Sequence, residues 1–151
     1  MRRLLASTMS IAIAAVVLVP SVVGCECAED KRPAKERIKA LPPSAVIASG
    51  RVIKVERGSG GPYDPYTTTF AVGRAWRNVD TPTLFLFSNG GECDMGFKEG
   101  KEYLLIGYLE GGRVIVRQCS ETLPLNDAGP LVKALGAPSY VPAPKQNPSI
   151  K

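Results

Sequence analysis

The chain has 151 residues, enough for one domain with a modest core, and it carries four Cys, no His and a formal charge of +5. The missing His excludes Ser-His-Asp and Cys-His catalysis and every His-ligated metal site. Setting aside Arg2 and Arg3, which lie in a segment expected to be removed, 17 Lys and Arg face 14 Asp and Glu. That balance is too mild to call for a nucleic-acid partner, and none is expected.

Residues 1–24 read as an export signal. Arg2 and Arg3 form a charged start, an apolar stretch covers residues 4–19, and Pro20 and the small Gly24 close it. The uninterrupted apolar run, residues 11–19, is far short of the roughly 20 residues that span a bilayer. Val22 at −3 and Gly24 at −1 suit ordinary signal peptidase. Val22-Val23-Gly24-Cys25 also resembles the bacterial lipobox, in which the Cys thiol is lipidated before cleavage. Either route leaves Cys25 as the first mature residue. The expected location is therefore periplasmic or extracellular, or on a membrane surface if a lipid is attached at Cys25.

All four cysteines, Cys25, Cys27, Cys93 and Cys119, lie in the exported part, where disulfides persist. Joining Cys25 to Cys27 is disfavoured, because residues two apart in an extended chain sit roughly 6.6 Å apart, near the upper limit for a bridge. Two pairings remain: 25–93 with 27–119, or 25–119 with 27–93. Each bridge closes a loop of several tens of residues and contributes roughly 4–5 kcal/mol in the chain-entropy model. A Cys-x-Cys pair without His or a second close Cys pair is a poor metal or redox site, so no metal or cofactor of its own is expected.

After the cysteines, residues 29–39 are charged, with Ile38 and Leu41 the only large apolar residues in or next to them. They read as a solvated linker or one short helix ended by Pro42-Pro43. Residues 45–55 are strand-like, and Gly50 within them predicts a bulge or sharp bend. Residues 57–66, rich in Gly and Pro, form a loop. They lack the Gly-Lys-Ser/Thr ending of a phosphate cradle. Residues 67–77 are β-rich, with Phe70, Val72 and Trp76 at even spacing, and residues 83–87 form a short apolar strand. Asn89-Gly90-Gly91 turns the chain toward Cys93. Residues 103–109 form a further strand, and Gly111-Gly112 makes a tight hairpin into Val114, Ile115 and Val116.

Five strands in sequence with turns between them predict a small closed barrel or sandwich. Its expected core is Phe70, Val72, Leu84, Leu86, Leu104, Ile106, Val114 and Val116. Residues 125–135 could form one short helix, with Pro130 limiting its start and Gly136 stopping it. Residues 137–151 hold four prolines and read as a disordered tail.

The Cys25-Glu26-Cys27 start resembles that of tissue inhibitors of metalloproteinases (TIMPs), members of the netrin-like (NTR) superfamily, here in a bacterial-type exported form. The run AVIASGRVIKV at residues 45–55 is similar to the family's first strand, and Phe70-Ala71-Val72 leading to Trp76 to the second. Cys93 followed by Phe97, Gly100, Tyr103 and Leu104 is similar to the segment around the next family cysteine. Cys119-Ser120-Glu121-Thr122-Leu123-Pro124-Leu125, then Ala128 and Leu135, resembles the closing cysteine and helix. The resemblance covers residues 25–136. It implies a mainly β fold, a five-stranded OB-like β-barrel with one or two short flanking helices, and it selects the pairing Cys25–Cys93 and Cys27–Cys119.

The same resemblance implies a function. In the animal inhibitors, the α-amine and carbonyl of the first cysteine chelate the target protease's zinc, and the second side chain enters its specificity pocket. Those roles fall here on Cys25 and Glu26. Glu26 departs from the small or apolar residue usual there, the family's separate C-terminal subdomain is absent, and lipidation at Cys25 would abolish chelation. The sequence thus leads to an exported metalloendopeptidase inhibitor, or to a non-inhibitory envelope or extracellular binding module anchored at Cys25 if lipidated. The expected partner is a zinc metalloprotease or another extracytoplasmic protein. A monomer without enzymatic activity is expected, since no nucleophile–base pair is recognisable.

Overall fold

Short apolar strands punctuated by glycine and proline cannot bury both faces alone, and here they roll into a barrel. The computed structural model describes residues 27, 28, 30–58, 65–88 and 95–143. In chain order these form α1 (Ala34–Ala40), β1 (Ala45–Arg57), β2 (Tyr66–Arg77), β3 (Thr83–Ser88), β4 (Glu102–Glu110), β5 (Arg113–Ile115), β6 (Leu123–Pro124) and α2 (Gly129–Leu135). The order in the sheet is β1-β2-β3-β5-β4-β6, and an additional β1–β4 ladder closes five strands into a barrel. Every ladder is antiparallel except β3–β5, which spans only Leu86 and Phe87 against Val114 and Ile115. The mainly β barrel with two short helices is thus the fold expected from the sequence.

β1 serves two ladders, with β2 and with β4, and must bend between them. Its register against β2 shifts between Ser49 and Gly50 and again between Val52 and Lys54. Such extra residues raise the local twist and let a strand turn a barrel corner. A Cβ on Gly50 would lie 2.0 Å from the Ala71 carbonyl oxygen, so only glycine lets the two backbones approach this closely. At the β4–β5 hairpin, Gly111 and Gly112 both have positive φ, 55° and 78°. A two-residue turn matched to the strand twist requires that conformation.

The interior divides into two cores rather than one. Val46, Phe70, Leu86, Tyr103, Leu105 and Val116 belong to the cluster within the barrel. Ile38, Ile47, Leu104, Ile106 and Leu131 belong to a second cluster, which unites α1 and α2 with β1 and β4. Successive residues of a strand point to opposite faces, so β1 and β4 are apolar at adjacent positions because both of their faces are covered. This corrects the expected single core. Leu104 and Ile106 are fully buried but sit under the helices, while Tyr103 and Leu105 fill the barrel. Leu84 is half-buried, packed against the barrel cluster. The even spacing from Phe70 also fails at the end of β2. Ala75 takes the inward position, and Trp76 joins the helical cluster, its Nε1 donating to the Gly136 carbonyl at 2.8 Å.

α1 places Ala34 and Ile38, four residues apart, on one face against the second cluster, and Leu41, just past the helix end with extended backbone, packs there too. α2 is shorter than the span 125–135. Pro130 has no N–H to bond back one turn and its ring would clash there, so the helix begins only at Gly129. The preceding residues form a turn instead, with the Asp127 N–H on the Pro124 carbonyl. The tail read from residue 137 onward is corrected in its first part. Ala75 donates its N–H to the Tyr140 carbonyl at 2.8 Å, and the Tyr140 ring packs against the barrel core. Residues 144–151 lie outside the described residues.

The bend at Gly50 has a measurable consequence. Gly50→Ala is expected to lower the urea midpoint markedly, because its Cβ meets backbone rather than a side chain that can move aside. Gly73→Ala, whose nearest neighbour would be the Ser49 carbonyl oxygen at 3.4 Å, is expected to stay close to wild type. Leu105→Ala should cost roughly 2–5 kcal/mol by opening a cavity in the barrel.

Candidate functional site

Cys27 lies in the extended segment before α1, and Cys119 lies between β5 and β6. A disulfide joins them, with Cα atoms 5.3 Å apart, across 92 residues of chain. With this bridge formed, the alternative pairing of 25 with 119 and 27 with 93 is excluded. The bridge belongs to the pairing that the resemblance selects. Cys25, Glu26 and Cys93 lie outside the described residues. In the chain-entropy account, closing so long a loop contributes roughly 4–5 kcal/mol.

The segment that receives the disulfide is itself pinned. Thr122 is buried, and its hydroxyl accepts from the Ile106 N–H at 2.9 Å and from the Ser120 hydroxyl at 3.0 Å. It donates in turn to the Ile106 carbonyl at 3.1 Å. One side chain thereby satisfies both backbone groups of a β4 residue that the short β6 ladder, at Tyr103 and Leu104, does not reach. Glu121 forms a two-point ion pair with Arg37 of α1 through Nε and Nη2. Their side chains are 19% and 23% exposed, so this pair is shielded and fixes α1 against the Cys119 segment. Three ties of different chemistry therefore meet within four residues.

On the N-terminal side, Asp30 accepts from the Arg32 backbone N–H at 3.0 Å and from its Nε at 2.9 Å. The Arg32 side-chain hydrogen bonds, then its backbone N–H, pull the Asp30 pKa from the ordinary 3.8 down to about 2. Asp30 is half-buried, and its bonds to Arg32 orient the chain entering α1 through Pro33.

Between these two segments lies an open groove of about 560 Å³. Cys27, Asp30, Arg37, Gln118, Cys119 and Glu121 are among its lining residues. The Gln118 Oε1 is buried and accepts no hydrogen bond among the described residues. Both groove cysteines are consumed in the bridge, and the Ser120 hydroxyl is committed to Thr122. What the groove presents is paired charges and a covalently fixed backbone. Among the described residues, no group of three or more His, Cys, Asp or Glu side chains could hold a metal ion. No described helix is long and apolar enough to cross a membrane.

No family model matches the chain, and no curated protein matches it in sequence.

Sequence reasoning placed Cys27 and Cys119 here and missed Arg37, Gln118 and Thr122. The run Cys119 to Leu125 carries a resemblance to the family's closing cysteine and helix. Nothing in it announces that Thr122 bonds to Ile106 or that Glu121 meets a residue 84 positions earlier.

Disulfide reduction, or Cys119→Ser, should lower the thermal midpoint more than Glu121→Gln does, because only the former releases loop entropy into the unfolded state. Thr122→Val keeps the side chain's shape but strands the Ile106 N–H and carbonyl, at a cost of roughly 1–3 kcal/mol in chemical denaturation. Asp30 should titrate near pH 2 by NMR and move back toward 3.8 in Arg32→Gln. Its folded value is depressed, so its contribution is present above about pH 4 and fades as pH falls through about 2.

Proposed function

We propose that this chain is an exported TIMP/NTR-like module that inhibits zinc metalloendopeptidases through the mature N-terminal Cys25. The single observation supporting this reading is the Cys27–Cys119 bridge, which fastens the chain two residues beyond Cys25 to a rigid barrel. A segment tied down in this way loses little conformational entropy on entering a protease cleft, which is what a preorganised inhibitor requires. The chemistry needs a free α-amine. Its pKa near 8 lets zinc displace the proton at modest cost, and the Cys25 carbonyl supplies the second ligand.

Glu26 sets the specificity. In this reading Glu26, the residue after the chelating Cys25, is the side chain offered to the specificity pocket. Burying its carboxylate without a cation costs several kcal/mol, so the preferred targets are enzymes with a basic residue in the specificity pocket. The same carboxylate favours a second reading, in which the module docks on an envelope or extracellular protein without inhibiting it, anchored by a lipid at Cys25 where the lipobox-like site is used.

Inhibition of a panel of zinc endopeptidases separates the two. Glu26→Thr is expected to tighten binding to enzymes with apolar pockets, and one extra Ala before Cys25 should abolish inhibition by displacing the amine. If Glu26→Thr inhibits no enzyme, or the extra Ala changes nothing, chelation through Cys25 is wrong and the non-inhibitory module stands. The intact mass of the mature protein reports any lipid on Cys25 directly.

A further inference from the structure

A second cleft, of about 620 Å³, lies between residues 95–103 and 124–126, with Arg51 of β1 contributing to it. It shares no lining residue with the disulfide groove. Its volume is within the range typical of ligand clefts, roughly 300–1,000 Å³.

Its walls are held by backbone bonds. The Leu125 N–H donates to the Glu102 carbonyl at 2.9 Å, extending the β4–β6 ladder. Opposite, the Lys98 N–H donates to the Tyr103 hydroxyl at 3.1 Å, and the Gly100 N–H to the Val52 carbonyl at 2.8 Å. The Tyr103 ring is held edge-on by Phe97, with centroids 5.0 Å apart. The cleft is thus formed before any ligand arrives.

Three kinds of group converge on it. Arg51, Lys98 and Lys101 line the cleft with one carboxylate, Glu102, which Arg51 already engages at 3.2 Å; the neighbouring Glu99 does not line it and accepts from the Val55 N–H. Lys98 and Lys101 make no ion pair among the described residues. Tyr103, Pro124 and Leu125 give an apolar wall. Asn126 has an exposed side-chain amide with no hydrogen bond among the described residues, able to donate to and accept from a peptide bond. A phosphodiester chain would call for exposed rings on which bases stack, whereas Tyr103 is only 7% exposed.

We propose that this cleft binds an acidic peptide segment of a protein partner. Lys98 and Lys101 hold its carboxylates, Pro124 and Leu125 take an intervening apolar side chain, and Asn126 reads the peptide backbone. The site does not depend on Cys25, so it can stand or fall separately from protease inhibition.

The test is an amide-shift NMR titration of the oxidised mature protein with acetyl-Asp-Leu-Glu-Phe-Asp-amide. The arms for comparison are its Asn/Gln counterpart and inorganic phosphate. Shifts are expected in residues 95–103 and 124–126, saturating with the acidic peptide only. Lys98→Gln with Lys101→Gln should weaken binding about tenfold or more, and Glu102→Gln should tighten it about threefold by removing the carboxylate that lines the cleft. The extra Ala before Cys25 should leave this affinity unchanged.

Equal binding of the neutral peptide, or the same shifts with phosphate at similar affinity, would overturn the proposal. So would shifts confined to other residues, or an unchanged affinity in a double Lys variant with a wild-type urea midpoint. If that variant does not fold, loss of acidic-peptide affinity with rising salt in the wild type decides the same point: affinity insensitive to salt sinks the carboxylate contacts.

Discussion

β1 belongs to two ladders at once, and the barrel exists because that strand can bend. Its residues 45–51 lie against β4 and its residues 47–57 against β2, so the closing edge of the sheet depends on the corner near Gly50. Closure removes the open edges that would otherwise invite pairing with other chains. It also explains why residues 45–49 are all buried. Alternate side chains enter the barrel, while the others form the floor beneath α1 and α2.

The site is a consequence of that second layer. α1 packs on the outside of β1 and β4, so the chain leading into it passes the segment between β5 and β6. There the disulfide, the Arg37–Glu121 pair and Thr122 act on one stretch of four residues. Each restrains a different degree of freedom. The bridge limits the unfolded chain, the ion pair positions α1, and Thr122 completes hydrogen bonding on β4. Together these ties fix the chain at Cys27 and α1 against the outside of the barrel.

The two clefts flank β6, one on the disulfide side and one beyond Pro124. They differ in chemistry. The disulfide groove is lined by charges already paired, Arg37 with Glu121, and Asp30 with Arg32. The other carries cations without partners among the described residues beside an apolar wall, so its electrostatic attraction remains available to a ligand.

The five strands, the bend at Gly50 and the glycine hairpin at 111–112 were legible in the sequence, because each follows from local rules of backbone freedom and side-chain alternation. So was the participation of Cys27 and Cys119 in a long-range bridge, because cysteines two residues apart, such as Cys25 and Cys27, are poorly placed to join each other. The division of the interior into two cores was not legible. Leu104 and Leu105 look alike in sequence, and only the placement of two helices outside the barrel sends one beneath them and the other inward. Nor could sequence pair Arg37 with Glu121, seat Thr122 on Ile106, or attach Tyr140 to Ala75. Those contacts join residues between 16 and 84 positions apart. They depend on which surfaces the closed barrel brings together, and no local periodicity encodes that.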